Sequence, residues 1–339
     1  MPETCGLLRV EIANEGNAGA FPGLLFTKGT MTAATYIAIY AGLVLFLAGC
    51  LWRVWVYART PLHLRWELYP LPHEHPYRAA YGGSYFETQE WWRKPQIKNR
   101  RGEFLVMIEE ILFLKSLREF NRKLWVPSFL FHSGLYLVIC AVGLTAVAAL
   151  AGVLAEKGSA VVASELGSVV VVVGIAGAVL IVTGACLLLI RRSSDPAFKN
   201  STKAADIFNL LFFIAAFSLV ASGYLTRAAG AASVSEFAHG VVHFDRGVKI
   251  GTVFGAGLIL ASALAAYIPF THMAHFIAKY FTWHAVRWDD RRNEPGRPLN
   301  TAMATNLAYK PTWSAGHIGA DGKRSWAEIA ASAPPEIKK

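Results

Sequence analysis

Charge is what this sequence lacks most. Only 17% of its 339 residues are charged, 54% are hydrophobic, and the mean hydropathy is +0.36. That balance excludes an ordinary soluble domain and indicates a polytopic membrane protein. Cysteine is scarce as well. Cys5, Cys50, Cys140 and Cys186 stand singly, with no C-x-x-C-H for covalent haem attachment and no cluster for iron–sulfur or zinc. Any redox centre must therefore use other ligands, and the three cysteines in apolar runs read as small buried residues. The first thirty residues lack the basic-then-apolar order of a secretory signal. The first apolar block is too long for a signal core and is expected to stay in the mature chain.

What the chain has instead is long apolar runs. Five can span a bilayer: residues 32–57, 125–154, 167–190, 205–227 and 249–281. A spanning segment must satisfy its own backbone hydrogen bonds, and strand-like alternation is absent, so each is expected to be a helix. The fold class is all-α, a polytopic bundle of five transmembrane helices. Internal repeats are not visible, and five spans do not divide into the inverted halves of a transporter. Of the 33 lysines and arginines, 27 fall on one side of these spans. The positive-inside rule then puts the N-terminus outside and the C-terminus in the cytoplasm, in a multi-pass inner-membrane protein. The net charge of +10 is a topology signal first and a docking surface second. Nucleic acid is not an expected partner; the lipid bilayer is.

The expected organisation is a periplasmic segment 1–31, a first span 32–57, a cytoplasmic loop 58–124, a bundle of four spans 125–281, and a cytoplasmic tail 282–339 that docks a partner subunit. The loop is too long for a plain connector. Pro61 to Tyr85 reads as irregular. From Glu103 to Asn121, Leu105, Ile108, Ile111, Leu112 and Leu114 recur at helical spacing with charges between them. An amphipathic helix on the inner leaflet or under a partner fits that pattern. Trp91 and Trp92 beside Arg93 and Lys94 suit an interface. The tail is polar and proline-bearing and cannot build a core alone.

Ionisable side chains at membrane depth are costly and mark function by default. The last span ends in Tyr267-Ile-Pro-Phe-Thr-His272-Met-Ala-His275, and His132 lies in Phe129-Leu-Phe-His132-Ser-Gly of the second. Pro127 suits the first turn of that span. His132 then lies about 10 Å inside the basic end at 1.5 Å per residue. The fifth span runs the opposite way, so His275 falls at comparable depth. Two facing imidazoles from neighbouring helices can hold a haem b between them, low-spin and closed to oxygen, as electron transfer requires. The bland alternative for either residue is a histidine hydrogen-bonded inside the bundle or snorkelling at its surface. His272, at i, i+3 from His275, is the competing ligand; it otherwise orients a propionate, meets a quinone or faces headgroups. Arg122, Lys123 and Lys279 lie near the same surface, where they could neutralise propionates. Tyr136, Asn209 and His272 are candidate quinone contacts, and Asp206 reads as a cap of span four.

Other histidines carry less. His239 and His243 precede span five with no partner histidine at their end of the other spans. His73-Glu74-His75 lacks the helical H-E-x-x-H spacing of a zinc protease and is flanked by Pro72 and Pro76. Gly251, Gly255 and Gly257 form a small-xxx-small pattern suited to close helix packing.

Five spans, a histidine early in span two and Pro-Phe-Thr-x-x-x-His at the end of span five resemble the nitrate reductase gamma-subunit family of quinol-oxidising b-type cytochromes. The likeness is closer to the membrane cytochrome b subunits of the Dsr and Tmc respiratory complexes of sulfate reducers. Leu64-Arg-Trp-Glu-Leu-Tyr-Pro, Tyr81-Gly-Gly-Ser-Tyr-Phe-Glu, Glu119-Phe-Asn-Arg-Lys-Leu-Trp, Arg287-Trp-Asp-Asp and Lys310-Pro-Thr-Trp-Ser-Ala-Gly-His317 carry it, together with the two histidine stretches. The resemblance implies menaquinol (menaquinone as the carrier) as substrate, haem b, a cytoplasmic iron–sulfur subunit of heterodisulfide reductase type, and other membrane or periplasmic cytochrome c subunits. It also implies that His132 and His275 hold the lower haem. The family's upper haem uses histidines at positions that are Val142 and Gly257 here, so one haem is expected and a second is left open. The rival class is a non-redox anchor or transporter subunit.

Overall fold

The computed structural model describes residues 28–59, 75–95 except 82 and 84, 99–154, 160–199, 201–281, 293–312 and 318–333. His63, His73 and Glu74 lie outside them, as does the expected N-terminal segment as far as residue 27. Among the described residues every regular element is helical. Five helices are long and apolar enough to cross a membrane. They are referred to as span one (Lys28–Arg59), span two (Arg122–Leu154), span three (Ala160–Ser194), span four (Ala204–Leu225) and span five (Thr252–Tyr267).

The spans pack side by side as an arc in the order two, three, four, five, one. Small residues set the close approaches, as expected where lipid removes the hydrophobic drive between helices. A Cβ on Gly184 of span three would stand 2.5 Å from the backbone of Phe131, the neighbour of His132. A Cβ on Gly257 would stand 2.6 Å from the nitrogen of Val220 in span four. The glycines of span five do not share one face: Gly255 meets Met31 and Thr35 of span one, and Gly251 has open space. The interior is one apolar cluster in which Phe131, Ile181, Leu210, Phe213 and Leu264 interlock from four spans. Leu51, Ile139, Val172 and Leu225 face outward, as lipid contact demands.

Span five is shorter than its apolar run. The helix stops at Tyr267, and two 3-10 turns, Ile268–Phe270 and His272–Ala274, lead into a short helix His275–Lys279. Pro269 explains the break, since it cannot donate to the helix ladder and its ring crowds the preceding turn. Thr271 then adopts extended geometry and caps the next turn, its Oγ1 accepting from the Met273 nitrogen at 3.2 Å. A carbonyl freed at such a bend needs a donor at membrane depth. Arg53 of span one supplies it, Nε to the Pro269 oxygen at 2.8 Å. His272 and His275 consequently do not sit on one straight helix, and their spacing is set by the bend rather than by a 3.6-residue turn.

The two ends of the arc differ. One carries Arg59, Arg122, Lys123, Arg191, Arg192, Lys203 and Lys279 and is called the basic end. There the loop helix Arg100–Phe113 starts with Asn99 Oδ1 accepting from the Gly102 nitrogen at 3.0 Å. It halts at Leu114, which is left-handed, so the expected amphipathic helix is two pieces, the second being Lys115–Phe120. At the far end the helix Val234–His243 is started by Ser233 and packs on spans two and three. Tyr36 and Tyr40 of span one donate to Asp245 and Val241 at its C-terminal edge, joining span one to this cover.

Candidate functional site

Spans two and five are not packed neighbours in the arc, yet His132 of span two meets His275 of the short helix that follows span five. The His132 and His275 ring centres are 6.2 Å apart with the planes at 70°. Each ring is oriented by its own segment. His132 Nδ1 lies 2.7 Å from the Ser128 carbonyl one turn back, and His275 Nδ1 lies 3.3 Å from the His272 carbonyl. A carbonyl oxygen only accepts, so in each neutral ring Nδ1 carries the hydrogen and Nε2 keeps its lone pair. This is the arrangement by which metal-ligating histidines are usually oriented.

A bound group can be tested against this geometry. Two imidazoles this close could hold one metal between them, since metal–imidazole bonds are roughly 2 Å long. Among the described residues no group of three or more His, Cys, Asp or Glu could hold a metal ion. Two imidazoles alone suit a metal that arrives with four donors of its own, as iron does in a porphyrin. His132 and His275 are residues that would fit a haem, which would supply one-electron chemistry there.

The loop helix is tied to both segments that carry these histidines. Its last carbonyls have no partner within the helix, and span two supplies donors to two of them. Tyr136 Oη, one turn from His132, donates to the Ile111 oxygen at 2.6 Å, and Trp125 Nε1 donates to the Phe113 oxygen at 2.7 Å. Glu110, 8% exposed, accepts from Lys279 Nζ at 2.7 Å and from Ser116 nitrogen and Oγ at 2.9 and 2.8 Å. Burial by itself pushes the Glu110 carboxyl up, but the Lys279 ammonium and the two Ser116 donors outweigh it and hold it below the usual carboxylate value. Arg122 and Lys123 stand exposed on the first turn of span two.

His272 belongs to a different cluster. Its Nε2 lies 3.4 Å from Asp206 Oδ1 and 3.4 Å from Asn209 Nδ2, both on span four. Asp206 also closes the first turn of that span, accepting from the Lys203 nitrogen at 2.9 Å, as its position suggested. Asn209 is buried and its Oδ1 has no partner, a condition that costs about 1–3 kcal/mol. At the far end, His239 and His243 stack on each other at 4.0 Å on the exposed surface of their helix. Val142 is 63% exposed and faces outward, while Gly257 is pressed against span four. Neither residue offers a side-chain atom that could hold a second haem.

Sequence reasoning missed the Glu110–Lys279 pair and the Arg53–Pro269 contact. Each joins residues more than 150 positions apart, and no local pattern announces such a pairing.

A helical membrane bundle that brings two oriented imidazoles together is the kind of architecture that a b-type cytochrome requires. The family described as nitrate reductase gamma subunit matches residues 117–289. That is just over half of the chain, and the chain belongs to this family of membrane cytochrome b electron-transfer subunits, which bind haem b and serve multi-subunit respiratory complexes. The matched stretch takes in spans two to five and both histidines; span one and the loop helix precede it. A comparison with curated proteins finds no match.

Proposed function

We propose that this chain passes electrons from menaquinol to a cytoplasmic iron–sulfur subunit of heterodisulfide reductase type, through one haem b held by His132 and His275. The observation that carries the reading is the facing pair: two imidazoles 6.2 Å apart, each with Nδ1 on a backbone carbonyl and Nε2 free. Haem b, when bound, supplies one-electron transfer without an open coordination site. The chain's own residues hold and shield it. Ser128 and the His272 carbonyl set the tautomers, Tyr136 and Glu110 tie the loop helix to the two histidine-bearing segments, and Arg122 and Lys123 neutralise the propionates. The basic end faces the cytoplasm, consistent with the charge bias. The exposed apolar side chains of the loop helix, Phe104, Leu105, Leu112 and Phe113 among them, belong against the inner leaflet or the partner. The complex is of the Dsr or Tmc type found in sulfate reducers, whose further subunits include cytochromes c, and it resides in the inner membrane.

A dithionite-reduced spectrum of the purified chain tests the proposal. The expected result is a b-type haem signal that His132→Ala and His275→Ala each abolish while the helical content is kept. A well-folded chain without haem absorption would instead identify a non-redox anchor.

A further inference from the structure

At the far end, where span four finishes and span five begins, the chain forms a cleft whose lining includes Tyr224, Arg227, Phe237, Lys249, Gly251 and Phe254. Arg227 is held in place by span four. It donates to the Tyr224 carbonyl at 2.8 Å, and its guanidinium lies over the Tyr224 ring at 3.9 Å. That bond uses one of the five N–H donors a guanidinium carries. Lys249 is positioned through its backbone, whose carbonyl accepts from the Ala232 nitrogen at 3.1 Å. Both side chains are exposed, and among the described residues neither has a carboxylate partner. The acids of the same loop are engaged elsewhere. Asp245 accepts from the Gly247 nitrogen at 2.8 Å, and Glu236 accepts from the nitrogen and hydroxyl of Ser233. Below the two cations the wall is aromatic, with Tyr224 and Phe237 each edge-on to Phe254 at 5.6 and 6.0 Å. A Cβ on Gly251 would meet nothing within 4 Å, so the cleft is open there.

We propose that this cleft binds the phosphate of an acidic phospholipid from the leaflet at the far end, held between Arg227 and Lys249. Basic residues are disfavoured at this end by the bias that orients the chain, yet two of them share one cleft. A guanidinium matches two phosphate oxygens, and an ammonium adds a point charge. A zwitterionic headgroup brings a cation of its own, which the two basic side chains repel. The phosphate comes with a lipid because the cleft lies between two spanning helices. Leu225 and Val253, next in sequence to the lining residues Tyr224 and Phe254, are 65% and 46% exposed and meet acyl chains. The aromatic wall suits the boundary between headgroups and hydrocarbon.

The test uses the full chain in phosphatidylcholine nanodiscs that carry a trace of photoactivatable phosphatidylglycerol or photoactivatable phosphatidylcholine, with the labelled peptides mapped. Residues 224–254 are expected to take up the acidic analogue at least about tenfold more than the zwitterionic one, from the attraction of two cations. Gly251→Asp sets a carboxylate in the cleft at a helix start that suits Asp. It should remove the preference there and leave labelling at the basic end unchanged. Lys249→Gln should lower the preference severalfold, and it decides alone should Gly251→Asp fail to fold. Equal labelling by the two analogues, or a preference that survives either folded variant, would overturn the proposal. Loss of the preference in millimolar inorganic phosphate would assign the cleft to a free anion and overturn the lipid as its occupant.

Discussion

Replacing Glu110 by Gln tests how the loop helix is tied to the segments that carry His132 and His275. The carboxylate now accepts from Lys279 Nζ at 2.7 Å and from two donors of Ser116, in a side chain that is 10% exposed. A hydrogen bond to a charged group is worth about 1.5–3 kcal/mol. Breaking a fully buried pair costs about 3–5 kcal/mol, but Lys279 is 37% exposed and can rehydrate. The docked helix should therefore lose about 2–3 kcal/mol, which at 1.4 kcal/mol per tenfold is roughly a 30- to 150-fold larger open population. A 14-residue helix is marginal in water without its packing. Hydrogen exchange at residues 105–113 should therefore quicken by that factor in nanodiscs, while spans two to five stay protected. Glu109→Gln is the control, since its pair with Lys115 is about half exposed at both ends and worth at most about 1 kcal/mol. The pH dependence carries a definite sign. When docked, Glu110 titrates below its ordinary 4.5, so its contribution is fully present above that value and is lost as pH falls through the docked-state value. Unchanged exchange in Glu110→Gln, or equal effects at Glu109 and Glu110, would refute the reasoning.

Two further outcomes follow from packing. Gly257→Ala places a methyl 2.6 Å from the Val220 nitrogen and 2.8 Å from the Leu219 carbonyl carbon, both backbone. It should cost about 1–3 kcal/mol and lower the melting temperature of the purified chain; an unchanged melt would show that spans four and five can part freely. Arg53→Met removes the donor to the Pro269 carbonyl. About 1.5–3 kcal/mol of support for the bend is lost with it, and haem affinity should fall because the bend places His275. Haem binding at the level of the intact chain would show that the bend holds without span one.

The five spans were readable because the backbone of a lipid-exposed segment has no partner but itself, so an apolar run of sufficient length leaves only the helix. Boundaries were less readable. The fifth run continues to residue 281 in composition, but Pro269 ends the helix at Tyr267, and composition does not register a missing N–H. The amphipathic pattern of residues 103–121 likewise gave no sign of the left-handed Leu114 that divides it.

His132 and His275 were conspicuous in the sequence because polar groups are rare at that depth, and matched depth followed from counting residues along antiparallel helices. Rarity, depth and family motif are properties of the chain alone. What the sequence could not say is that spans two and five stand apart while their imidazoles face one another, that Asn209 sits against His272, or that Gly257 is pressed onto span four. Those facts depend on which helix neighbours which. Helix adjacency is settled by small-residue contacts summed over whole faces, and no local stretch of sequence encodes that sum.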